Sequence, residues 1–190
     1  MGTADQRVIL HSVPWSHYEV LLALRGEAPV PRLTYLEGEL ELMSPSKDHE
    51  RIKKQLARLL EVYALKTGIP LNGFGSWTLR SAPKERGVEP DECYVLGDSQ
   101  GKERPDLAIE VLWTSGSLDK LSVYAGLGVK EVWFWREGLL EVHVLQGGEY
   151  APADRSALLP DLDLSLLERF LTYDDQTQAA REYLAALGRS

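Results

Sequence analysis

Glu110 stands inside the run Asp106-Leu-Ala-Ile-Glu-Val-Leu112, where every other position after Asp106 is apolar. Such a run reads as a strand buried within a parallel or mixed sheet. A carboxylate taken out of water there is costly unless it is paired or holds a metal. Two compensations are open, a Lys or Arg partner and a divalent cation. Lys120 lies near the start of the helical stretch that follows Trp113-Thr-Ser-Gly-Ser117. It could simply pair with Glu110, or it could orient water and stabilise negative charge on phosphorus. Spacing alone does not separate these readings.

Two Pro-Asp pairs, Pro90-Asp91 and Pro105-Asp106, each open a strand. Asp106 and Glu110 share a strand and a face, but a rise of about 3.3 Å per residue separates them by roughly 13 Å. They cannot ligate one ion. Asp91 begins the preceding strand, and neighbouring strands lie only about 4.8 Å apart. With the loop Gly97–Pro105 between them, Asp91 can come level with Glu110. Asp91 and Glu110 are therefore the better pair for a hard cation. Mg²⁺ needs only one or two carboxylates and keeps several waters, which leaves room for a phosphate.

The elements that must position these groups follow from periodicity and punctuation. Ser16 and Glu19 form a capping-box pattern opening a short helix that Gly26 can close. Residues 31–45 alternate around Glu37-Gly38 as a hairpin. Residues 44–68 carry the clearest helix, with Ile52, Leu56, Leu59, Leu60 and Tyr63 on one stripe and Gly68 at the exit. Strand-like runs follow at 75–81, 91–96 and 106–113, then a helix over 117–127 ended by Gly128. Residues 130–136 and 139–146 read as strands around Glu137-Gly138, and two short helices fill the tail. Helices packed against a mixed sheet make this an α/β (α+β) chain. The expectation is a single domain over 1–190, with an N-terminal helix and hairpin at about 12–43 and a helical tail at about 164–190.

Composition bounds the function classes. The 190 residues are 44% hydrophobic and 26% charged, as in an ordinary globular chain. No apolar run approaches the roughly 20 residues of a membrane span, and no secretory signal pattern opens the chain. One cysteine, Cys93, excludes an internal disulfide and reads as a buried strand thiol. A cytoplasmic setting is expected. The net charge of −8 argues against a general nucleic-acid binder. Yet residues 45–90 hold nine Lys/Arg against five Asp/Glu, a local +4, whereas residues 137–190 are locally −6. Arg51, Lys53, Lys54 and Arg58 lie mainly off the apolar stripe of their helix. They could track a phosphate backbone or simply face solvent.

The stretches Pro90-Asp91, Glu110-Val-Leu112 and Asp119–Trp135 resemble the PD-(D/E)XK nuclease superfamily, and within it the Uma family of predicted restriction endonucleases, long catalogued as a domain of unknown function. The resemblance runs from the Tyr35–Ser46 hairpin through Asp161–Phe170. It implies a restriction-endonuclease-like core, a mixed β-sheet flanked by helices. It assigns Asp91 and Glu110 as the metal-binding and catalytic acids, with the Val111 carbonyl as a further metal ligand. One departure stands out: the motif lysine belongs at position 112, and Leu112 is there. The family pattern places a lysine on the following helix, which Lys120 matches, with Tyr124 one turn later.

Several further residues are weighed beside these. The resemblance makes Glu39 an outer site candidate, while Glu39 and Glu41 could equally be two solvated hairpin glutamates. His49 and Glu50 sit on the first turn of the long helix; His49 could contact a metal water or a phosphate, or be a satisfied helix-end histidine. Trp133, Phe134 and Trp135 alternate along one strand and suit the core or a subunit interface, so a homodimer is compatible with them. Ser115 and Ser117 are better helix caps than nucleophiles. The reading that follows is a Mg²⁺- or Mn²⁺-dependent endonuclease acting on DNA; the alternative is a nuclease-fold module without turnover that binds nucleic acid or a protein partner.

Overall fold

The computed structural model describes residues 4–113 and 117–188. Among these residues the chain forms two sheets and five α-helices. A first sheet has the order β1-β3-β2-β6-β5, with β1 at Gln6–Leu10, β2 at Arg32–Leu36, β3 at Glu39–Ser44, β5 at Leu79–Ser81 and β6 at Arg86–Val88. A second has the order β11-β10-β9-β8-β7-β4. Its strands are β4 at Leu71–Gly73, β7 at Glu92–Leu96, β8 at Leu107–Val111, β9 at Glu131–Arg136, β10 at Leu139–Gln146 and β11 at Glu149–Ala153. The helices are α1 at Trp15–Arg25, α2 at Lys47–Thr67, α3 at Lys120–Leu127, α4 at Leu164–Leu171 and α5 at Gln176–Leu187.

The second sheet is mixed, since β8 runs antiparallel to β7 and parallel to β9. This is the restriction-endonuclease-like arrangement expected, with neighbouring strands near 90–95 and 106–112. All five residues of β8 are buried because both faces are covered. Leu107, Ile109 and Val111 join Trp133 and Trp135 against the stripe of α2 and against α4 and α5. Ala108 and Phe134 pack with Val123 and Tyr124 of α3 on the other side. The three aromatics of β9 thus serve both faces, as their alternation predicts. Period two then sends Glu110 to the α3 side.

α2 forms where its signals say it should. The Ser46 hydroxyl caps its start by accepting the His49 N–H, Asp48 and Glu50 sit in the first turn, and Gly68 closes it at φ 74°. The β2–β3 and β9–β10 hairpins turn on Glu-Gly, with positive φ at Glu37 and Gly38 and again at Glu137 and Gly138. That two-residue geometry matches strand twist and is cheapest with glycine at the second position.

The structure corrects two expectations. Ser16 does not cap α1; the helix enters from Pro14, whose ring presets φ at −62°, and Ser16 lies inside the first turn. α3 begins at Lys120 and not near 117, because Asp119 caps it by accepting the Ser122 N–H at 3.2 Å and the Ser122 hydroxyl at 2.7 Å. Ser115 lies outside the described residues. The strand expected within 75–81 forms at Leu79–Ser81 and joins the first sheet. Its ladder is three residues long, too short to announce its partner by pattern.

α3 is the middle layer. It touches β2, β5 and β6 of the first sheet and β11 of the second. Three of its carbonyls are held by side chains from elsewhere: Lys84 Nζ donates to Gly126 O at 2.7 Å, Arg86 Nη1 to Ser122 O at 2.9 Å and Arg104 Nη1 to Leu127 O at 2.9 Å. A side chain at Gly126 would overlap Arg86. Among the described residues, no helix is long and apolar enough to cross a membrane.

Candidate active site

The β7–β8 ladder ends at Glu92↔Ile109, with Asp91 just before it on one side and Glu110 just after it on the other. The two acids are compensated separately. Glu110 is fully buried, and its carboxylate takes the Lys120 ammonium at 2.6 Å on Oε2 and the Tyr124 hydroxyl at 2.5 Å on Oε1. Lys120 and Tyr124 are one helical turn apart on α3, so both reach the same strand residue. Burial first, and then the negative charge of Glu110, pushes the Tyr124 hydroxyl well above its ordinary pKa. Tyr124 therefore stays protonated and donates.

Asp91 is held from the other direction. Its Oδ2 accepts the Val111 N–H at 2.6 Å, which joins it to the peptide next to Glu110. Its Oδ1 faces His49 Nε2 at 2.9 Å and is ion-paired with Arg32 Nη1. The His49 ring continues to Asp5 Oδ2 at 3.0 Å, and Asp5 Oδ1 accepts the Ser46 N–H at 2.8 Å. An imidazole facing a carboxylate at each nitrogen donates to both only as the cation. Burial alone would raise the Asp5 carboxyl, but the hydrogen bonds of His49 and the Ser46 backbone outweigh it and hold Asp5 below the ordinary range. On the outer side, Arg32 Nη2 reaches Glu50 Oε1 at 2.9 Å and Lys53 pairs with Glu50 Oε2 at 2.6 Å. Acids and bases alternate along Asp5, His49, Asp91, Arg32, Glu50 and Lys53.

The structure thus gathers Asp91, Glu110, Val111, His49, Glu50, Lys120 and Tyr124 around one end of β7 and β8. It does not bring Glu39 there: that side chain meets the exposed His11 at 2.9 Å. Its neighbour Glu41 is fully buried instead. Glu41 Oε2 lies 3.2 Å from Arg7 Nε and accepts the Leu118 N–H at 3.1 Å, two residues before Lys120. Arg32, Asp5 and Arg7 are the residues that local pattern did not single out. On α2, Lys54 and Arg58 are exposed, Lys53 is engaged with Glu50, and Arg51 is half-buried with its carbonyl near Gln176 of α5.

Asp106 stands at the far end of β8, as the spacing requires. It accepts the Leu96 N–H at 3.0 Å and pairs with Lys130 at 2.7 Å and Lys102 at 3.7 Å. Burial raises this carboxyl, but Lys130 and the Leu96 N–H prevail and hold it below the ordinary range. A depressed pKa in the folded chain gives stability that is full above the unfolded carboxylate value of about 3.9 and is lost as pH falls through the folded value. Asp106→Asn is therefore expected to flatten the acid limb of a melting-temperature profile. An acid limb as steep as wild type would remove Asp106 from that linkage.

The donor set suits a small hard cation. Asp91, at the entry to β7, is bonded to the peptide that follows Glu110, so two carboxylates and the Val111 carbonyl belong to neighbouring residues, and Mg²⁺ asks for no more protein ligands than these. Among the described residues, no three His, Cys, Asp or Glu side chains converge on one ion position. Among the described residues, the two carboxylates meet cations and hydrogen-bond donors, so a metal would share or displace these partners.

Comparison with known proteins comes from three directions. The family model Uma2, described as "Putative restriction endonuclease", matches residues 15–178. A crystal structure from Anabaena variabilis ATCC 29413, described as "a putative nuclease belonging to DUF820", is similar at a TM-score of 0.53 and 18% identity. It covers 74% of this chain and 92% of its own. That likeness concerns the fold. A search of curated proteins returns no match.

Proposed function

Because the chain belongs to the Uma2 family of restriction-endonuclease-like proteins, we propose that it is a Mg²⁺- or Mn²⁺-dependent endonuclease hydrolysing phosphodiester bonds in DNA. The proposal takes residues 1–190 as one domain acting in the cytoplasm. One observation supports it: the Lys120 ammonium stands 2.6 Å from Glu110, where it would supply the charge of the motif lysine that Leu112 lacks. Asp91, Glu110 and the Val111 carbonyl would hold the cation. When bound, such an ion polarises the phosphodiester and lowers the pKa of an attacking water.

The chain's own residues do the rest. Val111 N–H and His49 fix the Asp91 carboxylate from two sides, and Tyr124 fixes Glu110. An ammonium carries three N–H donors. Lys120 spends one on Glu110 and keeps others for a phosphate oxygen, where they stabilise the charge that grows in the transition state. Lys54 and Arg58, with Lys47 and Lys66 at the two ends of the helix, are the exposed cations that α2 offers to a DNA backbone among the described residues.

The cation should raise the melting temperature, since it binds only the folded chain. Calorimetric titration and melting of wild type, Asp91→Asn and Glu110→Gln test this, with the Mn²⁺-induced shift expected in wild type and lost in both variants. An equal shift in all three would remove the assignment. The second reading, a module that binds nucleic acid or a protein partner without turnover, is favoured by one feature: Arg32, His49, Lys120 and Tyr124 already compensate both acids. Purified protein that binds DNA but cleaves no DNA substrate with Mg²⁺ or Mn²⁺ would decide for it.

A further inference from the structure

Asp91 has more positive company than one carboxylate needs. The His49 ring is shared with Asp5, yet Arg32 adds a full guanidinium charge on the same Oδ1. A divalent cation joining that carboxylate would bring two more positive charges against this group. One partner must yield, and the geometry says which. His49 is fully buried and wedged between two carboxylates. Arg32 bridges inward to Asp91 and outward to Glu50, whose side chain is 38% exposed. If Arg32 leaves Asp91, its Nη2 keeps a partner at Glu50 and its Nη1 edge turns free. A planar guanidinium edge of that kind matches phosphate oxygens.

Resting on the metal reading above, we propose that Arg32 is a displaceable counter-ion: it competes with a divalent cation for Asp91, and once displaced it binds a phosphate of the DNA substrate. Metal binding and phosphate binding are thereby coupled through one side chain. Arg32 is fixed at the start of β2, where Met43 pairs with it across the ladder, so the exchange is a side-chain movement and leaves the sheet intact. Arginine does not lose its proton, so Arg32 itself can yield only by moving away.

The test uses the full chain with Mn²⁺ alone, then Ca²⁺ with a short DNA duplex. Arg32→Gln keeps a donor for Asp91 while removing the charge. It should bind Mn²⁺ about tenfold more tightly than wild type in calorimetry, because a like charge at the ligand is gone. Ca²⁺ should tighten duplex binding by wild type but leave Arg32→Gln unchanged. Mn²⁺ affinity in Arg32→Gln equal to or below wild type overturns the competition, and equal Ca²⁺ enhancement in both proteins overturns the transfer to phosphate. Should the variant fail to fold, the wild-type chain suffices: the Arg32 side-chain nitrogen resonances should shift as Mg²⁺ saturates, and resonances unmoved while Mg²⁺ binds would overturn the proposal. Absence of Mn²⁺ binding in wild type and variant alike would overturn the metal reading itself, which is a different failure.

Discussion

Lys120→Ala is expected to abolish metal-dependent cleavage in a chain that still folds and still binds Mn²⁺. The ammonium contributes most where negative charge builds in the transition state, and removing one such preorganised donor costs about a hundred- to a thousandfold in turnover. The loss should appear in kcat, with substrate affinity little changed. The pairing at 2.6 Å with a fully buried acid makes a second outcome measurable. If Lys120 only neutralises Glu110, its removal strands a buried carboxylate and lowers the melting temperature while cleavage persists. Leu112→Lys combined with Lys120→Ala adds a direct check. Recovered cleavage there would mean that strand and helix positions are interchangeable sources of one charge.

His49→Ala is expected to cost about 3–5 kcal/mol of stability, the range for breaking a buried ion pair from one side. The ring touches a carboxylate with each nitrogen. Its loss leaves Asp5 with the Ser46 N–H and leaves Asp91 to Arg32 and Val111. For a chain of this size that corresponds to a fall of roughly 10 °C in melting temperature. Asp5→Ala with His49→Ala should lose less than the two single changes together, since one removes the reason the other is destabilising. A double variant at the full additive cost would mean that the two side chains act independently.

Much of this arrangement is legible in the residue order, and the failures share a cause. α2 declares itself through its stripe and both caps, and the hairpins through Glu-Gly between alternating runs. Asp91 and Glu110 flank one end of the β7–β8 ladder because strand spacing and the loop between them allow it. What local pattern misses is set by partners distant in the chain. Arg32 and Asp5 carry no local mark of where their charges go. Glu39 and Glu41 share a face by alternation, but β1, whose Ile9 lies opposite Glu41, buries one and leaves the other near the turn exposed. Without β1 in view the two cannot be ranked. Asp119 takes the cap of α3 from Ser117 because its carboxylate accepts from both the backbone and the hydroxyl of Ser122.

The eight residues of α3 are too few to form a helix alone, since isolated helices shorter than about 12–15 residues are marginal in water. Three of its carbonyls are gripped by Lys84, Arg86 and Arg104, and its flanks by both sheets. The address of Lys120 is therefore written by residues well outside its own segment. A lysine on a strand moves with that strand and could be grafted with it, whereas this one travels only with the 84–104 segment and the five-stranded sheet. Descendants of such a chain are free to vary position 112. They are much less free to trim the first sheet, which would erase the lysine's location without touching the lysine.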